Sequence, residues 1–199
     1  MVPKDEIEQL MAIKGQVRGA VFETDAEYIR NKQGRDGLEK VEAGLRVLEY
    51  ELNYGDVSSM EWMALSLRAL SFLVMKDVFN WSDEEIVAMG DAAPKHSFIV
   101  KLFMKFFISP HVAFSHAPEY WTKHYDTGRL EAVSLDEETR HAVVRLYDFT
   151  LHPVYCRYLE GYFGRLFKFM FPNSKVKVRE TDCTCNGDSC HEFLVDWEG

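Results

Sequence analysis

The stretch His152–Trp197 constrains the fold more than any other part of the chain. Pro153 suits the first position of a helix, where a backbone N–H is not needed, and apolar residues then recur at helical spacing as far as Phe169. Pro172 ends this helix. The segment VKVRE then alternates as a strand does, and a second alternating segment follows at 190–197. The stretch therefore predicts one long helix followed by a β-hairpin.

All 4 cysteines of the chain lie in this stretch. The opening MVPKDEIEQL lacks the apolar segment of a signal peptide, so we expect a cytoplasmic location with reduced thiols. Clustered cysteines then favour a metal over disulfides. The candidate ligands for a closed, structural zinc site are Cys156, Glu180, Cys183 and Cys190. The alternative is an ordinary buried Cys156 with reactive surface thiols around it.

The fourth ligand has two candidates. His191 shares a strand face with Phe193 and the other apolar residues of its strand, whereas Cys190 lies on the opposite face. A bulge near Ser189 would bring Cys190 to the site instead. We prefer Cys190 because a thiolate is the softer ligand, with His191 as the alternative.

Cys156 followed by LEGYFG, then RETDC, a glycine and a Cys/His pair resemble the 4-vinyl-reductase-type domain. This domain is also the sensor module of phenol-responsive sigma-54 activators. The resemblance covers about residues 15–199 and implies an α+β fold, a structural zinc and an aromatic ligand. The family places its final metal ligand at the position of His191, one residue after Cys190. The opening of the chain also resembles the haem–nitric-oxide-binding sensor domains, distant relatives with the same fold.

The remaining sequence predicts an N-terminal helical arm at 1–14, for a dimer partner, and a single domain at 15–199. Helices are expected at 58–78, from Ser82 to a break at Gly90–Pro94, and at 97–108. A further hairpin is expected at 131–135 and 141–147. The fold class is therefore α+β: an antiparallel sheet of at least four strands packed against an N-terminal helical layer and one long C-terminal helix.

The segment around 107–125 combines histidines with aromatic residues, as ligand pockets commonly do. In the phenol sensors a His and a Trp from this region hold the ligand hydroxyl. The candidate ligand-binding residues are Phe107, His111, His116, Trp121 and Tyr125. The alternative is that these histidines cap helices or are hydrated.

These features predict a regulatory domain that binds a small apolar or aromatic molecule, forms a homodimer and signals through a separate protein. The net charge of −9 argues against nucleic acid as a partner, and charges such as Arg68 interrupt every apolar run that a membrane span would need. One alternative is a haem-based gas sensor with His111 or His116 on the iron, although the Tyr-x-Ser-x-Arg motif of those domains is missing. A tetrapyrrole-related vinyl reductase and an interaction scaffold are the others; no GxGxxG or nucleophile elbow supports an enzyme.

Overall fold

The computed structural model describes residues 2–96 and 109–199. The predicted helix 97–108, and with it Phe107, lies outside the described residues. Eight α-helices fall within the described part of the chain: α1 Lys4–Met11, α2 Ala20–Gln33, α3 Arg35–Val47, α4 Leu65–Phe79, α5 Asp83–His96, α6 Pro110–Ser115, α7 Ala117–His124 and α8 Pro153–Met170. The strands are β1 Gln16–Arg18, β2 Trp62–Ala64, β3 Arg129–Asp136, β4 His141–Tyr147, β5 Lys175–Asp182 and β6 His191–Glu198.

The four longer strands form one antiparallel sheet in the order β3-β4-β6-β5. Alternate residues of β4 and β6 are buried, and those of β6 face α8. Phe163 of α8 lies 5.0 Å from Phe193, and Phe167 lies 6.0 Å from Trp197, between ring centroids. The predicted α+β class is confirmed, because period-two burial on the strands meets period-3.6 burial on the helix.

The long helix α8 begins where the sequence predicts. His152 has an extended backbone, and its Nδ1 accepts a hydrogen bond from the Val154 amide at 3.0 Å. Its Nε2 lies 2.8 Å from Oε1 of Glu6 on α1. Ile7 and Leu10 of α1 are buried and belong to the main hydrophobic core. The N-terminal segment therefore packs on its own chain, and its role in dimerisation stays a prediction.

The predicted break at Gly90–Pro94 is wrong, because α5 continues through both residues to His96. The cause is tertiary packing against α8. A Cβ added at Gly90 would lie 2.0 Å from the Tyr158 carbonyl oxygen, and one at Gly161 would lie 1.9 Å from the Val87 carbonyl oxygen. The two helices thus cross with their backbones in contact, which only glycine allows.

This crossing also shows what Gly161 approaches. Its close neighbour is α5 of the same chain rather than a second subunit, and a Cβ at Gly164 would meet Val178 of the sheet at 3.5 Å. The glycine pair therefore gives no support to the predicted homodimer, which stays a prediction. Among the residues described, no helix is both long enough and apolar enough to span a bilayer.

Candidate functional site

A cavity of about 100 Å³ lies between the helices and the sheet. We call it the aromatic cavity. Residues from α2, α5, α6, α7, α8, β3 and β4 line it, and nearly all of them are apolar or aromatic. Those used below are Ala20, Trp121, His124, Tyr125, Tyr158 and Tyr162. A mostly apolar cavity with a few polar groups in its wall is typical of a small-molecule site.

The structure brings two of the predicted ligand residues, Trp121 and Tyr125, into this wall. Their rings stack with centroids 3.9 Å apart and planes at 9°. The indole Nε1 of Trp121 donates to the Thr127 carbonyl oxygen at 2.9 Å. Because its donor is already used, Trp121 presents an apolar ring to a ligand rather than a hydrogen bond.

The other two described candidates lie elsewhere. His111 is exposed, with Nε2 3.2 Å from Oε1 of Glu137. His116 is half-exposed, with Nδ1 3.1 Å from Oε2 of Glu119. Neither histidine lines the aromatic cavity.

Among the described residues His124 is the histidine that lines the cavity, and the sequence prediction did not include it. Its Nδ1 lies 3.1 Å from the Tyr120 carbonyl oxygen, an acceptor, so Nδ1 carries the proton and Nε2 is left with a lone pair. Burial lowers the pKa of His124, and the nearby cation Arg68 lowers it further. His124 is therefore neutral at pH 7. The only signal in the sequence was its position three residues after Trp121, which places both on one helix face.

Behind the cavity wall lies a fully buried arginine, Arg68 of α4. Its Nε and Nη2 donate to the two carboxylate oxygens of Asp25 at 2.8 and 2.9 Å. Its Nη1 donates to the hydroxyl groups of Tyr155 at 2.5 Å and Tyr125 at 3.2 Å. Burial opposes the charge of Arg68, but Asp25 and the tyrosines hold its pKa above the usual value. This network fixes Tyr125 in the cavity wall.

A second group of side chains joins α8 to the β5–β6 hairpin. We call Cys156, Glu180, Cys183 and His191 the hairpin cluster; each offers one ligand atom, and these atoms lie within 4.8 Å of one another. Cys156 Sγ lies 3.6 Å from Cys183 Sγ and 3.7 Å from His191 Nδ1. Cys190 is buried but is not part of the group. The arrangement is one that could hold a metal ion, and metal binding there stays a prediction.

The polar groups of the hairpin cluster also have protein partners. Nδ1 of His191 lies 2.8 Å from Oε1 of Glu180, and Nε2 lies 2.8 Å from the Phe149 carbonyl oxygen. Arg157 Nη2 donates to Oε2 of Glu180 at 3.2 Å. Burial opposes the ionisation of Glu180, yet hydrogen bonds from His191 and Cys156 hold its pKa below the usual value. The buried carboxylate is thus compensated by the protein itself.

The turn after β5 likewise has its own cause. Cys183 begins a 3₁₀ turn, Thr184–Asn186, and its backbone N–H donates to Oδ2 of Asp188 at 2.9 Å. The pairing of β5 with β6 shifts register between Glu180 and Asp182. An Asp side chain therefore supplies the hydrogen bond that holds the loop here.

No protein-family profile matches the sequence, and no curated protein matches it. Solved structures do. An H-NOX protein from S. oneidensis in the Fe(II)NO ligation state is similar with a TM-score of 0.69 and 11% identity, covering 92% of this chain and 99% of that chain. A mutant Fe(II) unliganded H-NOX protein from K. algicida has a TM-score of 0.67 and 12% identity, covering 92% and 97%. A structure reported for haem distortion in the H-NOX family has a TM-score of 0.65 and 15% identity, covering 92% and 95%.

At these identities the likeness shows the fold, which is the haem–nitric-oxide-binding fold named above as the distant resemblance. The 4-vinyl-reductase resemblance is not shown by any comparison and stays a prediction. The expectation of structural zinc as the cofactor is wrong: the similar structures are reported for their haem or iron. The buried carboxylate of Glu180 is paired by His191 and Arg157.

Proposed function

We propose that this chain is a sensor domain that holds its ligand in the aromatic cavity. The observation that carries the proposal is the neutral His124, the one histidine among the described lining residues, with Nε2 left for a ligand or a metal. The cavity wall also contains Tyr158 and Tyr162 of α8, the helix that packs against the sheet. A change in the cavity therefore acts directly on the element that organises the fold.

The form of sensor that the comparisons favour is a haem-based gas sensor. The lining residues suit a haem in their chemistry: aromatic and aliphatic walls surround one histidine. A metal-bound histidine usually donates its other ring N–H to a carbonyl or carboxylate, and His124 makes such a bond to Tyr120. When bound, haem iron supplies a site for a diatomic gas, and His124 would hold that iron in place of His111 and His116.

The size of the cavity favours a second candidate, direct binding of a small apolar or aromatic molecule. Ligand pockets for larger molecules hold roughly 300–1,000 Å³, so haem requires the walls of this cavity of about 100 Å³ to move apart. An apolar cavity of roughly 150 Å³ binds benzene in another protein. A single aromatic ring is thus close to what the aromatic cavity accepts without rearrangement.

Absorption spectroscopy tests the haem form. The purified chain is titrated with haem, and we expect a Soret band of a histidine-bound iron at one haem per chain. His124→Ala removes the ligand and should shift the band and weaken haem binding by at least about tenfold. His116→Ala is the matched control, since His116 lies outside the cavity, and it should behave as the wild type. A band unchanged by His124→Ala would reject His124 as the ligand.

Calorimetry separates the two forms. If the wild-type chain shows no Soret band but binds phenol with one site, direct sensing replaces the haem form and the cavity assignment stands. Binding of neither molecule contradicts the proposal as a whole. The output remains a proposal as well: we expect a separate signalling protein to read the ligand-bound state, and a homodimer and a cytoplasmic location stay predictions.

A further inference from the structure

A surface groove adjoins the aromatic cavity. Its volume is about 460 Å³, and its lining consists of Arg18, Ala20, Ser59, Met60, Thr122, Lys123 and His124. We call it the basic groove. Ala20 and His124 line both the groove and the aromatic cavity. The two spaces therefore share part of their wall, which one small side chain and one imidazole form.

The two cations of the basic groove have no carboxylate partner among the residues described. Arg18 stacks over the Trp62 ring at 3.9 Å, and its Nη1 donates to the Met60 carbonyl oxygen at 2.5 Å. Lys123 Nζ lies 4.5 Å from the centre of the Tyr120 ring. Ring stacking and a carbonyl position these side chains without neutralising them.

An unneutralised pair of cations is unexpected in a chain with a net charge of −9. The two hydroxyl groups of the groove form hydrogen bonds with other partners. Ser59 Oγ donates to Glu23, and Thr122 Oγ1 donates to the Glu119 carbonyl oxygen at 2.9 Å. The groove thus offers positive charge beside an apolar cavity, a combination that matches a molecule with an apolar body and an anionic end.

We propose that the basic groove is a subsite for the carboxylate of an amphipathic ligand whose apolar or aromatic body fills the aromatic cavity. The inference rests on the proposed function, because the body must occupy the cavity. Arg18 and Lys123 bind the carboxylate, and His124 lies at the junction between body and head. Two sources have this chemistry: a free aromatic carboxylic acid, or a haem with its propionates.

The first experiment compares an acid with its uncharged analogue. Binding of 3-phenylpropionate and of 3-phenylpropanamide is measured by calorimetry at pH 7.5 on the full chain. A hydrogen bond to a charged group is stronger than one to a neutral group, so we expect the acid to bind at least about tenfold more tightly than the amide. This preference should shrink in high salt, because the groove is open to solvent.

Variants assign the preference to the groove. Arg18→Gln with Lys123→Gln should abolish the preference for the acid and leave the amide affinity unchanged. Lys40→Gln is the matched control, since Lys40 is an exposed cation of α3 outside the groove, and it should keep the preference. Circular dichroism checks that the double variant is folded. A folded double variant that still prefers the acid overturns the subsite.

The remaining arms separate the two sources and the two proposals. Haem binding is compared with binding of haem dimethyl ester; a loss with the ester, together with weak binding of 3-phenylpropionate, identifies propionates as the source. Equal wild-type affinity for charged and uncharged forms of both ligands overturns the subsite and leaves the cavity in place. Binding of none of the four molecules overturns the cavity, and the subsite with it.

Discussion

Replacing Asp25 by Asn tests whether the buried ion pair with Arg68 supports the cavity wall. The substitution keeps the shape of the side chain and removes its charge. Arg68 then remains cationic in its fully buried position, because a guanidinium group is not deprotonated in proteins. A charge in the protein interior without an opposite charge is costly, since the low dielectric does not solvate it.

The magnitude follows from the geometry. Asp25 accepts two hydrogen bonds from Arg68, at 2.8 and 2.9 Å, with both side chains almost entirely inaccessible. Removing one partner of such a pair lowers the free energy of unfolding by roughly 3–5 kcal/mol. This is a large part of the roughly 5–15 kcal/mol that stabilises a folded domain. For a chain of this size each kcal/mol shifts Tm by about 2–4 °C, so Asp25→Asn should lower Tm by about 6–20 °C.

The assay is urea unfolding followed by circular dichroism, with Trp fluorescence as a second probe. Glu39→Gln, an exposed carboxylate of α3, is the control and should change the free energy of unfolding by less than about 0.5 kcal/mol. The double variant Asp25→Leu with Arg68→Met removes both charges and should recover most of the loss. A loss below about 1 kcal/mol for Asp25→Asn, or a double variant no more stable than the single one, would refute the reasoning.

Two further predictions concern the crossing of α5 and α8. Burial opposes ionisation of Asp91, but hydrogen bonds from Arg165 and two lysines lower its pKa to about 2. Because a lowered acid pKa stabilises the fold above pH 4, the free energy of unfolding should fall between about pH 4 and pH 2. Urea unfolding of Asp91→Asn should show a shallower fall over the same pH range. Gly161→Ala places a Cβ 1.9 Å from the Val87 carbonyl oxygen and should cost about 3 kcal/mol or more, whereas Gly164→Ala makes ordinary contacts and should gain up to about 1 kcal/mol. Similar thermal unfolding of the two alanine variants would contradict the backbone contact.

The sequence predicted α8 and the β5–β6 hairpin because their signals are local. Pro153 marks the helix start, and alternation along β6 places His191 and Phe193 on the buried face, as observed. The same alternation argument named His191 as the alternative to Cys190, and His191 is the residue found beside Cys156. Local periodicity predicts which face a residue occupies, because the side-chain period of a strand is two.

Other features depended on partners far away in the chain. From the sequence alone, Arg68 is only a charge that interrupts an apolar helix. Its partners Asp25 and Tyr155 lie 43 and 87 residues away in the sequence. The continuation of α5 through Pro94 depends on its packing against α8. Helix propensity is a local property and does not include such tertiary contacts. His124 was missed for the same reason: it lines the aromatic cavity together with residues of α2 and α8, which are distant in the sequence.

Phe149 connects the aromatic cavity with the hairpin cluster. Its ring lies edge-on to Trp121, with centroids 5.5 Å apart, and 6.0 Å from the ring of His191. Its carbonyl oxygen accepts from His191 Nε2 at 2.8 Å and from the Thr184 hydroxyl at 2.9 Å. A ligand that moves Trp121 therefore presses on a residue whose backbone holds the hairpin. Movement of side chains in the aromatic cavity is therefore resisted by the hydrogen bonds of the hairpin cluster, and the reverse also holds. This contact couples the two sites without requiring a cofactor in each.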